Sequence, residues 1–380
     1  MLIHNFSINR HELNSQAANP LPDLDSESTL VLVFADPCFR DKNEVWQRLR
    51  RHFAKSVILG CSTAGNILGP EISDGSIEGV AARFERTALA LFSTSIAGQD
   101  DSFAAGCRLG RSFPKEGLRA VFLLSEGLSI NGTELVKGIS SELPPEVGIS
   151  GGLAGDGNGF KETWIVAGEA LGSNMVAAVG FYGEHFRFSY GCEGGWDKFG
   201  VERRVTRSVG SVLYELDGKP ALKLYKEYLG AQSSGLPATG LLFPLAIRQD
   251  KGSEALVRTI LKINEEDESL TFAGDIPENS MAQLMKANLD RIIDGAGQAA
   301  ERATSHADSS LASLAIAVSC VGRRLVLRGR AEEELQANTT MFPAGTQQIG
   351  FYSYGEVAPR SAGGSSNLHN QTMTVTLLQE

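Results

Sequence analysis

The sequence predicts an α+β fold: mixed sheets covered by helices, with an internally duplicated N-terminal domain and then a C-terminal α/β domain. Three observations carry this. Strands come in sequence-adjacent pairs between single helices, the arrangement of mixed sheets under helical cover. One order of elements occurs twice between residues 29 and 190. The 380 residues also exceed what one hydrophobic core usually serves, which makes two domains the default. The expected limits are a polar leader arm at 1–28, with Pro20 and Pro22, a domain at 29–205 and a second at 206–380.

The first copy begins with residues 29–35, a β-branched apolar run that reads as a buried strand. Asp41 with Glu44 three residues on predicts a helix start, and Val45, Trp46, Leu49 and Phe53 form one face. Residues 56–60 are a strand ending in Gly60-Cys-Ser-Thr-Ala-Gly65, followed by strands at 77–84 and 87–96. The second copy has a strand at 119–125 and a helix opened by Asn131 and Glu134. Leu135, Val136, Ile139 and Leu143 are that helix's apolar face, and Pro144-Pro145 stops it. A strand at 146–150 ends in Gly151-Gly-Leu-Ala-Gly-Asp-Gly157, and two strands follow at 161–167 and 174–182.

Beyond these, 205–216 is extended, Asp217-Gly218 is a turn, and Pro220 opens a helix with Leu222, Tyr225 and Leu229 on one face. Strands are expected at 243–247, 257–264 and 269–273. Ser280 with Gln283 reads as a capping box opening a helix through Met281, Leu284, Met285, Leu289, Ile292 and Ile293 to about Ala303. A buried strand at 311–320 and a helix at 331–337 lead to the closing stretch. There Ile349, Tyr352 and Tyr354 mark one strand, and Met373, Val375 and Leu377 alternate with threonines in another. Gly363, Gly364, Ser365 and Ser366 link them as a flexible tract expected to move. Tyr352, Tyr354, Glu356, His369 and Asn370 gather polar chemistry at the strand ends. They are expected to form one wall of an inter-domain pocket, faced by the glycine-rich ends at Gly60 and Gly151.

The formal charge of −10 opposes binding to nucleic acid or an anionic membrane surface. No run reaches the ~18 apolar residues that span a bilayer. Residues 1–14 have no apolar signal region, and five scattered cysteines form no C-x-x-C pair, the pattern of a reduced cytoplasmic protein.

Four features bear chemistry. Gly60-Cys-Ser-Thr-Ala-Gly65 is close to a nucleophile elbow, but the following residues contain Pro70, Gly69 and Gly75, where an elbow needs a helix. A pocket-lining turn therefore competes with a hydrolase in which Cys61 or Ser62 is the nucleophile and His369 the base. Gly151-Gly-Leu-Ala-Gly-Asp-Gly157 lacks the context of a nucleotide loop and is either a backbone-amide ligand cradle or a close-packed turn. Arg323 or Arg324 would clamp a carboxylate, with one of the two a solvated turn charge. His369 is either a hydrogen-bonded structural residue or a single axial ligand for haem, with His185 second. No cluster has zinc spacing.

Together with Gly195-Trp-Asp-Lys-Phe-Gly, Leu216-Asp-Gly-Lys-Pro-Ala-Leu-Lys-Leu-Tyr, Ser319-Cys-Val-Gly-Arg, Gly350-Phe-Tyr-Ser-Tyr-Gly-Glu and Leu368-His-Asn-Gln-Thr, these motifs resemble the FIST family over about residues 29–380. One departure is Asn66, where the family pattern leads one to expect Glu. The resemblance implies a small-ligand sensor in bacterial signal transduction that regulates a separate histidine kinase or diguanylate cyclase. Some members of this size are haemoproteins that sense nitric oxide; an amino acid or other polar metabolite is the alternative ligand. The ligand-binding residues expected on this basis are Cys61, Ser62, Thr63, Gly151, Gly152, Asp156, Arg323, Tyr352, Tyr354, Glu356 and Asn370. His369 would hold the haem iron. In the metabolite version Arg323 takes a carboxylate and Glu356 an amine.

Overall fold

The computed structural model describes residues 1–10, 20–157, 159–250, 255–359 and 365–380. Gly363 and Gly364 of the expected flexible link lie outside them.

One unit recurs three times, once more than the sequence suggests. The first copy is β1 (Leu2–Asn9), β2 (Thr29–Ala35), α1 (Asn43–His52), β3 (Val57–Ser62), a hairpin β4 (Asn66–Leu68) and β5 (Glu71–Ser73), and β6 (Ser76–Arg83). The second is β7 (Ala88–Ser95), α2 (Ser102–Ser112), β8 (Leu118–Ser125), α3 (Gly132–Ser140), β9 (Gly148–Leu153), a hairpin β10 (Ile165–Ala167) and β11 (Ala170–Gly172), and β12 (Met175–Tyr182). The third opens with β13 (Arg187–Glu193) and is then interrupted. The inserted elements are β14 (Asp197–Val209), β15 (Val212–Leu216), β16 (Lys219–Pro220), α4 (Ala221–Leu229), β17 (Leu245–Arg248), β18 (Leu256–Arg258), β19 (Ile260–Asn264), β20 (Ser269–Phe272) and β21 (Met281–Lys286). The third unit resumes with α5 (Leu289–Thr304), β22 (Ser313–Cys320), α6 (Val321–Leu327), α7 (Ala331–Met341) and β23 (Gln347–Ser353). It closes with the hairpin β24 (Gly355–Pro359) and β25 (Ser366–His369), then β26 (Met373–Gln379).

Each unit builds a sheet on a parallel pair, β2/β3, β8/β9 or β22/β23, with the unit's last strand antiparallel beside the first of the pair. Each unit then hands its hairpin to another sheet. β4 pairs with β23, β10 with β3, and β24 with β9, which closes a cycle of exchanges. The three sheets share one core. Leu30, Leu32 and Phe34 of β2 meet Phe122 and Leu124 of β8 and Ile316 and Val318 of β22. The alternate residues face outward under helices, with Val31 and Val33 against Trp46 and Leu49, and Ala315 and Ala317 against Ala296 and Ala299. Period-two alternation on strands buried on both faces is what produces this layering.

Gly60, Gly151 and Gly350 are equivalent positions. Each lies directly across its parallel pair from Val33, Leu123 or Ala317. A Cβ there would fall 2.3, 1.8 and 1.8 Å from the partner's carbonyl oxygen, so only glycine fits.

The insertion curls into a barrel. Its strand order runs β18-β17-β21-β14-β15-β20-β19, and its two edge strands are joined through Thr259 alone, so one kinked stretch closes the ring. Val205, Leu213, Leu245, Ile247, Leu270, Phe272 and Leu284 fill it, and α4 packs Leu222, Tyr225 and Leu229 against them.

Three expectations are corrected. The leader arm contains β1, paired residue for residue with β6 and burying Phe6 and Ile8. Asp41 does not cap α1, whose N-cap is Lys42; Asp36 instead caps a short turn by accepting Cys38 N–H. The helix from Ser280 is a strand followed by a helix: Ala282 and Leu284 point into the barrel core, and Asn288 is the cap that starts α5. Asn131 caps α3 as expected, accepting Glu134 N–H.

Candidate functional site

The residues singled out in the sequence converge on the axis where the three units meet, and that axis is packed solid. Ala64 N–H donates to Tyr352 O at 2.9 Å, Gly155 N–H to Ser62 O at 3.0 Å, and Tyr354 N–H to Leu153 O at 3.1 Å. Each glycine-rich strand end thus spends its amide on the next unit. Cys61, Ser62, Thr63, Gly151 and Gly152 are buried, and Ser62 Oγ accepts Trp164 N–H at 3.1 Å. Burial pushes the Cys61 thiol well above its usual range. Cys61 is shut from solvent and Ser62 is held to the backbone, and the Gly60 and Gly151 ends pack as turns against the next unit. Asn66 is structural too: its amide donates to Ser76 O at 2.9 Å and its Oδ1 accepts Thr63 Oγ1 at 2.6 Å. Asp156 and Tyr354 close a loop: Asp156 accepts Phe160, Lys161 and Glu162 N–H, and Tyr354 OH donates to Asp156 Oδ1.

Arg323 and Arg324 both clamp carboxylates, but internal ones. Arg323 is fully buried and paired with buried Glu334 at 2.8 Å, while Arg324 pairs with Asp74 at 2.6 Å and donates to Ala64 O. Arg323 therefore has no fork left for a ligand. Glu334 also accepts Ser319 Oγ at 2.9 Å and Tyr352 OH at 2.8 Å. Beside this network Glu356, with zero exposure, accepts Ser353 Oγ at 2.7 Å, Thr372 N–H at 3.1 Å and Thr372 Oγ1 at 2.9 Å. Desolvation outweighs these donors and the nearby Arg323 charge, and lifts the Glu356 carboxyl to about 7.

His369 does not fit a haem. It is 1% exposed, its Nε2 lies 3.0 Å from Ala358 O, and it is absent from the walls of the cavity described next. An iron ligand needs a free ring nitrogen and an open slot beside it for the macrocycle. His185 is exposed, with Nε2 3.2 Å from Arg86 Nη1. Among the described residues no group of three or more His, Cys, Asp or Glu is placed to hold a metal ion.

The open space lies elsewhere. A cavity of about 740 Å³ separates the barrel from the three-sheet body. Its floor is the end of β13 and the β13–β14 link, Cys192 to Trp196, with Arg302 of α5 and Thr372. Its roof is the outer face of the barrel: Lys198 and Glu202 of β14, Ala246 and Arg248 of β17, Val257 of β18, and Gln283 and Met285 of β21. Arg302 pairs with Glu193 at 2.7 Å and Arg248 with Glu202 at 2.6 Å. The floor is bolted to the polar network, since Trp196 Nε1 donates to Gln371 O at 2.8 Å and Arg323 Nη1 to Gly194 O at 2.6 Å. Thr372 joins the two: it lines the cavity and holds Glu356.

At this wall the third unit departs from its siblings. The turn entering the last strand has positive φ at Gly75, Asn174 and Gln371, and the third is a buried glutamine at φ 60°. A non-glycine residue in that region costs about 1–2 kcal/mol. Both amide atoms of Gln371 and Oδ1 of Asn370 are buried without a partner among the described residues. Strain and unmet polar groups gather where structure serves function.

The FIST N domain profile matches residues 29–219 and the FIST C domain profile residues 221–359. The chain belongs to the FIST family. Domains of this family are associated with small-ligand sensing in signal transduction. The boundary between the two profiles falls inside the inserted barrel. The FIST chain is also 24% identical to an uncharacterized protein of Methanocaldococcus jannaschii, over 87% of this chain and 70% of that one. Among the described residues no helix is long and apolar enough to cross a membrane.

Of the cavity residues, Gly195, Trp196 and Lys198 fall in one motif visible in the sequence and Thr372 in another. Glu202, Arg248, Gln283 and Arg302 come from separate elements and meet only through the barrel closure, which no local pattern encodes.

Proposed function

We propose that this FIST protein is a small-ligand sensor whose ligand occupies the cavity between the barrel and the three-sheet body. The observation that carries this is the cavity itself: about 740 Å³, walled by two separately built bodies, with mixed charges and an apolar patch of Trp196, Ala246, Val257 and Met285. Pockets of this size with a few convergent polar groups are the usual form of small-molecule sites. A ligand touching both walls would change how the barrel sits on the body, and a polar metabolite suits the lining. A histidine kinase or a cyclic-di-GMP enzyme is the partner to which the family resemblance points. The burial of Cys61 and Ser62, and the His369 Nε2 held beside Ala358 O, favour this cavity over a hydrolase or a haem site.

The test is a thermal-shift screen of amino acids and small carboxylates against the wild type and Val257→Trp, which fills the cavity from β18. A ligand at a hundred times its Kd stabilises by about 2.7 kcal/mol. The expected result is a rise in Tm with at least one compound, absent in Val257→Trp. A rise that survives the substitution, or none across the panel, would overturn the assignment.

A further inference from the structure

Resting on that assignment of the cavity, we propose that the ligand is a small organic carboxylate of net negative charge, anchored by Lys198. Among the described residues the lining carries three cations, Lys198, Arg248 and Arg302, against two carboxylates, Glu193 and Glu202. Arg302 is spent on Glu193 and Arg248 on Glu202. Lys198 makes no ion pair among the described residues. Among the described residues of the lining, three against two leaves one positive charge, on a chain whose formal charge is −10. A cleft of opposite sign to its protein concentrates ligands of the protein's own sign and lowers the barrier to their approach.

The chemistry of the free group narrows the class. Lysine is a point charge with rotatable donors, suited to one carboxylate oxygen. The two guanidinium forks that would grip a phosphate bidentately already hold glutamates. Lys198 stands directly opposite Met285 across the β14–β21 pair, and Trp196, just before β14, lines the same cavity. A carboxylate at Lys198 therefore places its carbon skeleton on Trp196 and Met285. Thr372 and Gln283 are the uncharged polar groups within the same walls.

The experiment is a titration calorimetry series with matched acids and amides, L-aspartate against L-asparagine and L-glutamate against L-glutamine, with succinate and inorganic phosphate alongside. It is run on the wild type, Lys198→Glu, Lys198→Arg and Val257→Trp. At least one acid is expected to bind and its amide to bind at least tenfold more weakly. Lys198→Glu should weaken the acid tenfold or more and Lys198→Arg only slightly. Because Lys198 is exposed and has no ion pair among the described residues, the ligand-free Tm of Lys198→Glu should match the wild type. Amides binding as well as acids, or Lys198→Glu binding the acid undiminished, would overturn the charge assignment while loss in Val257→Trp kept the cavity. Phosphate competing with the same Lys198 dependence would overturn the carboxylate class. Acid binding untouched in Val257→Trp, or no binding by any probe, would overturn both the inference and the cavity reading it rests on.

Discussion

Replacing Arg323 with methionine is expected to destabilise the protein by about 3–5 kcal/mol, the range for stranding one member of a buried ion pair. The guanidinium has zero exposure and uses its whole fork: Nε donates to Glu334 Oε2 at 2.9 Å, Nη1 to Gly194 O at 2.6 Å and Nη2 to Ile292 O at 2.7 Å. These acceptors belong to α7, the β13–β14 link and α5, so one side chain ties together three segments around the cavity floor. Methionine fills much of the volume but leaves the Glu334 charge buried with only Ser319 and Tyr352 as donors. Adding Glu334→Gln removes the charge and keeps an acceptor for those two hydroxyls. The double variant should therefore recover about 1 kcal/mol or more relative to Arg323→Met, from the relief of the uncompensated charge. Urea unfolding midpoints of the wild type, both single variants and the double variant measure this. Strict additivity of the single effects would show instead that the loss comes from the two bare carbonyls. Arg323→Lys should recover little, since an ammonium cannot present three donors in one plane.

This network also shows where sequence reasoning reached its limit. Arg323, Tyr352 and Glu356 stood out as polar groups at strand ends, and they do meet in space. What the linear pattern hides is that Glu334, the last of three consecutive glutamates in α7, comes to Arg323 with zero exposure. A residue set up to hold a ligand carboxylate and one set up to hold a neighbour's carboxylate look identical before folding. The duplicated units at 29–190 were legible because each is continuous. The third copy was not, because the barrel separates β13 from α5 and breaks the spacing that marks a repeat. Its signature was present all the same: Gly350 sits where Gly60 and Gly151 sit, each against a carbonyl that excludes a Cβ. Residues 281–286 illustrate a different failure. Ser280 and Gln283 satisfy a helix-start pattern, yet alternation buries Ala282 and Leu284 in the barrel, and pairing with β14 and β17 overrides the local signal.

Glu356 sets the second large effect, one that depends on pH. Burial lifts its carboxyl to about 7 from an ordinary 4.5, against the donors from Ser353 and Thr372 and the Arg323 charge. The unfolded chain releases this proton near 4.5 while the native protein keeps it until about 7, so between those values the native state binds more protons. Stability must then fall as pH rises through this window. The contribution is complete below the unfolded value and gone above the folded one, roughly 3 kcal/mol from end to end. Glu356→Gln should remove that slope. Its carbonyl oxygen can take both Thr372 donors and its amide can donate to Ser353 Oγ, so the variant keeps the hydrogen bonds without a proton to lose. The expected result is equal stability of the two proteins near pH 4.5 and a more stable variant at pH 8, read from urea midpoints across the range. Parallel curves would place the titration elsewhere. A variant that loses stability against the wild type as pH rises would mean that the charged carboxylate, not the neutral acid, is the form the native protein holds at its Thr372 wall.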